Sequence, residues 1–126
     1  MNKYAHKVGA VFYGLWGVLH IVAAVKVYRL ALAVPEDLGM VSARVMQNAW
    51  NLGWIALFAI IVAITMNWKN SRTGYWLNLV VVSLADIGFL LAVLLPGALP
   101  LAPGLVGPAV WVLAVLFSTI GIYQKK

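Results

Sequence analysis

Apolar residues run along the chain in four long stretches, separated by short polar or proline-rich breaks. The first covers about 8–25 and continues as helix toward Ala33, the second lies within 44–66, the third covers 75–95 and the fourth 105–123. At about 20 residues per 30 Å of hydrocarbon, each is long enough to cross a bilayer. The runs are longer than a membrane strand needs and carry polar residues at helical spacing. The pattern therefore predicts an all-α membrane protein, a four-transmembrane-helix bundle in one integral membrane domain spanning 1–126.

Polar positions inside the stretches fall on defined faces. In the first, Gly9, Tyr13, Trp16 and His20 share one stripe, with Ala10, Gly14 and Gly17 on the flank beside it. Small residues there allow a close helix contact. In the second, Arg44, Gln47, Asn48 and Asn51 recur at i, i+3, i+4 and i+7, continued by Ile55 and Phe58. Four hydrogen-bonding side chains on one side of a membrane helix are costly against lipid, so this face is expected to look inward or into an oligomer contact. The third stretch groups Tyr75, Leu79, Val82, Ser83 and Asp86, with Asn78 to one flank, and the fourth offers Trp111, Val115 and Ser118.

Threading the helices up and down at about 1.5 Å per residue brings His20, Asp86 and Trp111 to about 18 Å from one membrane face, and Asn51 to about 22 Å. These depths coincide within the uncertainty of helix ends. The expectation is a polar layer in the outer half of the bilayer, with His20 and Asp86 at its centre, Asn51 and Gln47 above, and Tyr13, Trp16 and Trp111 as aromatic walls.

Composition sharpens this picture: 64% of the residues are hydrophobic and only 10% charged, which leaves no room for a separate soluble domain. The net charge of +6 reads as topology and not as a nucleic-acid surface. Lys3, Lys7, Lys69, Arg72, Lys125 and Lys126 fall on one side of the threaded chain, with Lys26, Arg29 and Arg44 beside Glu36 and Asp37 on the other. By the positive-inside rule both termini and the loop 67–73 are cytoplasmic, which places a multi-pass protein in the inner (plasma) membrane. Lys3 and Lys7 before an apolar core, with Ala31-Leu32-Ala33 after it, resemble a secretory signal. The length of that core, and Lys26 and Arg29 between it and the cut, favour a retained helix.

Two outer connections follow. In the first, Pro35-Glu36-Asp37 reads as a helix start feeding the second span. The second, Pro96 to Gly104, is uncharged, holds three of the five prolines and is expected to be non-helical over most of its length. Tyr4, Trp68, Tyr75, Trp76 and Tyr123 near the cytoplasmic ends fit an interfacial aromatic belt.

His20 and Asp86, if paired, would titrate as a coupled unit, which suits proton-linked binding. An aromatic-walled cavity with a carboxylate suits a small lipophilic, cationic or protonatable ligand, bound or transported. Two other readings stand beside this one. In a structural or accessory subunit, the polar residues fix helix packing and the stripe of the second helix meets another membrane chain or a second copy. In a membrane enzyme acting on a lipid or quinone, His20 and Asp86 are the candidate catalytic acid and base. No cofactor is expected: there is no cysteine, and His6 and His20 lie about 21 Å apart along one helix, too far to share a metal. The expected partners are the bilayer, such a ligand, and a membrane partner chain or homo-oligomer, with no nucleic acid. In size and four-span layout the chain resembles small bacterial membrane proteins such as the DoxX-like families and the small multidrug transporters. The latter carry a glutamate in the first helix, where this chain has His20; its membrane acid is Asp86 in the third, so the resemblance carries no site.

Overall fold

The computed structural model describes residues 3–125. It is 86% helix, with no strand among the described residues. Helix α1 (Ala5–Leu32) leads through a 3₁₀ turn, Glu36–Leu38, into α2 (Gly39–Thr65). A second 3₁₀ turn, Asn67–Lys69, precedes α3 (Arg72–Phe89), which ends in a π turn, Leu90–Leu94. A single turn, α4 (Leu101–Gly104), is followed by α5 (Val106–Tyr123). Four helical segments, Ala5–Leu32, Glu36–Lys69, Arg72–Leu94 and Leu101–Tyr123, are long and apolar enough to cross a membrane. They coincide with the four stretches expected from sequence, and the architecture is a four-helix bundle compatible with a multi-pass membrane protein.

Around the bundle, α1 lies against α2 and α5, and α3 closes the ring between α2 and α5 on the diagonal from α1. The two contacts of α1 are backbone-close. A Cβ on Gly9 would stand 2.6 Å from the Ser118 amide nitrogen of α5, and one on Gly17 would stand 2.8 Å from the Ala56 carbonyl oxygen of α2. Tyr13 and Trp16 rise between these glycines into a core completed by Ala59 and Ala63 of α2, Val82 of α3 and Ala114 of α5. Large rings from one helix fill the space that alanines on its neighbours leave open, which is how a bundle gains dispersion contact when lipid is as apolar as its core.

Helix α3 is attached differently, by side-chain hydrogen bonds to each of the other three. The Tyr75 hydroxyl meets Thr119 Oγ1 of α5 at 3.1 Å, and Trp111 Nε1 of α5 donates to Ser83 Oγ at 2.9 Å. Asn78 Nδ2 donates to the Ala59 carbonyl of α2 at 3.1 Å and to Asn67 Oδ1 at 2.8 Å. Trp16 Nε1 of α1 donates to Asp86. Asn78 is fully buried, not set to one flank, because the chain after α2 folds back and carries Asn67 over it. Asn78→Ala is expected to cost about 2 kcal/mol, since it removes both bonds and strands the Asn67 oxygen, whereas Asn48→Ala on an exposed face should stay within about 0.5 kcal/mol. Thermal unfolding of the two variants in one detergent checks this; equal shifts would contradict it.

The second outer connection is non-helical over most of its length, as expected. Pro96 to Pro100 is non-helical, with Gly97 at φ 80°, but Leu101–Gly104 is already a helical turn. Pro100 caps that turn in extended geometry and Pro103 sits inside its first turn, where no amide donor is needed. The non-helical stretch is therefore shorter than the proline count suggests. Pro35 precedes the Glu36–Leu38 turn, which runs directly into α2.

Candidate functional site

Trp16 and His20 are one turn apart on α1, so their rings project from the same face. They stack at 3.8 Å between centroids, with 20° between planes. Asp86 enters from α3 on the opposite side of the core and is fully buried. Its Oδ2 accepts a hydrogen bond from Trp16 Nε1 at 3.1 Å, and its Oδ1 lies 3.6 Å from His20 Nε2. Oδ1 has no hydrogen-bond partner within range.

The tautomer of His20 follows from its other nitrogen. Nδ1 donates to the Trp16 carbonyl oxygen at 2.7 Å, and a carbonyl can only accept. Nδ1 therefore carries a proton, and the imidazole shows Asp86 either a bare Nε2 or a second N–H. A bare Nε2 facing an ionised carboxylate would set two lone pairs against each other in an apolar core. One proton placed between Nε2 and Oδ1 removes that clash, giving either a neutral imidazole with a carboxylic acid or an imidazolium with a carboxylate. In the second form the Trp16 ring face supports the cation. Direct transfer requires closing 3.6 Å to hydrogen-bond length, a movement of about 0.8 Å that a side-chain adjustment supplies.

Access is one-sided. His20 keeps 14% of its side-chain surface accessible and Asp86 only 1%, so the imidazole stands between the carboxylate and the exterior. The first turn of α5 covers the ring: a Cβ on Gly107 would lie 3.1 Å from His20 Cε1 and 3.4 Å from Nε2. Glycine at this position leaves the imidazole room to tilt.

The remaining expected residues divide into two groups. Tyr13 is buried one turn before Trp16, its hydroxyl without a hydrogen-bond partner within range. Trp111 packs on the core and is joined to α3 through Ser83, three residues before Asp86, so it supports the helix bearing the acid. Gln47 and Asn51 do not join the layer. Both are exposed on the outer face of α2, where Gln47 Oε1 accepts from Arg44 Nη1 at 3.0 Å and Asn51 Oδ1 accepts from Trp54 Nε1 at 3.3 Å. The inward orientation expected for this stripe does not hold within one chain, because the alanine face of α2, Ala49, Ala56, Ala59 and Ala63, takes the close contact. The role of Trp16 as hydrogen-bond donor to the acid, beyond that of an aromatic wall, was readable from one rule: a buried indole N–H seeks an acceptor.

Among the described residues no group of three His, Cys, Asp or Glu side chains gathers, so His20 and Asp86 stand as a pair with an indole donor. Such a pair can store one proton, exchange it through the imidazole, and present a negative charge when the proton leaves. No family model matches the chain, and no curated protein or solved structure matches it either.

Proposed function

We propose that this is an inner-membrane protein with cytoplasmic termini, in which His20 and Asp86, in the outer half of the bilayer, bind or move a small lipophilic or protonatable ligand. The ligand takes the place of the proton held between the two side chains. The observation that carries this reading is the committed Nδ1 of His20, which leaves a single proton to place between Nε2 and a fully buried carboxylate. Loss of that proton would leave a net negative charge in an apolar core, a costly state that an incoming cation relieves. The core around the pair is packed, so a ligand enters only as the helices part. The hydrogen-bonded attachment of α3 makes it the helix to move, because such bonds can be exchanged for bonds to water or ligand.

Adding a lipophilic cation such as tetraphenylphosphonium to the purified protein, in weak buffer with a pH-reporting dye, is expected to release about one proton per bound cation. Asp86→Asn should abolish the release. Binding with no proton release, or release unchanged in Asp86→Asn, would overturn the reading.

A further inference from the structure

Among the described residues, nothing of the chain lies over the polar face of α2. Arg44, Gln47, Asn48, Asn51 and Trp54 are all exposed. Their contacts with one another use the acceptor oxygens of Gln47 and Asn51 and leave the amide N–H groups of both unpartnered, as is the whole carboxamide of Asn48. Further along the helix the same face continues through Phe58, Ile61 and Thr65, of which Ile61 and Thr65 are exposed and Phe58 is half-buried. Positions 44, 47, 51, 54, 58, 61 and 65 alternate steps of three and four. That is the 3.5-residue seam of two parallel helices wound left-handedly about each other.

The chemistry of the seam selects its occupant. Each carboxamide oxygen keeps a second lone pair beside its free N–H donors, so a residue and its own copy complete each other across a two-fold axis, as an isologous contact requires. An acceptor-only stripe would need a different partner; this one is complementary to itself. Arg44, at the outer end, reaches headgroup level, where water and lipid phosphate keep two like charges apart in effect. We propose that α2 is a homodimer contact, in which a second copy of this chain lays its own α2 parallel to the first along the Arg44 to Thr65 seam, with Asn51 facing Asn51.

The chain contains no cysteine, which makes single-cysteine cross-linking in native membranes directly interpretable. Asn51→Cys and Phe58→Cys are expected to give a covalent dimer of twice the chain mass under mild oxidation. Val112→Cys and Leu116→Cys should not, although both positions are exposed, at 56% and 50%, because α5 lies diagonally across the bundle from α2. Replacing Gln47, Asn48 and Asn51 together by leucine should lower the Phe58→Cys dimer yield about tenfold. The proposal is overturned by equal cross-linking at all four positions, by a product of a different mass, which would place another protein on this face, or by the absence of any product.

Discussion

Gly9→Val should lower the stability of the bundle by at least about 3 kcal/mol. The new Cβ would stand 2.6 Å from the Ser118 amide nitrogen and 3.0 Å from its Cα. Both are backbone atoms and cannot step aside by changing rotamer. The only relief is to move α1 away from α5, which loosens the core that Tyr13 and Trp16 fill between them. Gly14→Val on the same helix is the matching control, since a Cβ there meets nothing within 4 Å. It should change stability by no more than about 0.5 kcal/mol. Equilibrium unfolding of both variants in mixed micelles separates the contact from any general dislike of valine in a helix, and equal losses would refute the assigned packing.

The second large effect is electrostatic. His20→Leu removes the only basic group within ion-pair distance of Asp86 among the described residues and leaves Oδ1 buried with no partner. The expected loss is on the order of 3 kcal/mol at neutral pH. Asp86→Asn should behave oppositely. Its amide oxygen still accepts from Trp16, and its amide nitrogen can donate to His20 Nε2, so stability should change by less than about 1 kcal/mol. His20→Leu placed on the Asp86→Asn background should lose most of its penalty, a coupling of about 2 kcal/mol in a double-mutant cycle. Together with the proton-release measurement, this distinguishes a working pair from structural glue. Glue predicts no cation-linked proton release from the wild-type protein, whereas a working pair predicts release that Asp86→Asn abolishes in an intact bundle.

Much of this arrangement was legible in the sequence. An ionisable residue in an otherwise apolar run has few places to go, and that rule alone identified His20 and Asp86. The spacing of Gly9, Tyr13, Trp16 and His20 gave their common face, which does turn inward. The same spacing logic placed Arg44, Gln47, Asn48 and Asn51 on one face but could not give its direction. Periodicity fixes which residues share a face, while the direction was decided by the alanines on the other side of α2, which allow closer approach than carboxamides do. Asn78 was underrated for a related reason. Its acceptors are the Ala59 carbonyl and Asn67, a helix backbone group and a loop residue that no stripe along α3 reveals. The final turn before α5 was hidden by its prolines, whose effect depends on whether they fall in the interior or at the start of a helix.

The polar attachments of α3 also bear on the order in which the chain is made. Asp86 and Asn78 are the two fully buried residues of α3 that hydrocarbon tolerates least. Their partners, Trp16, His20, Ala59 and Asn67, all precede them in the chain. When α3 leaves the ribosome and enters the membrane, the donors and acceptors it needs have already been synthesised. Only the hydroxyls of Tyr75 and Ser83 must wait for α5, and the Ser83 hydroxyl can meanwhile bond back to a carbonyl of its own helix. A circular permutation that moved α1 to the end of the chain would reverse this sequence, and α3 would then have to cross the insertion machinery with its carboxyl group still unmatched.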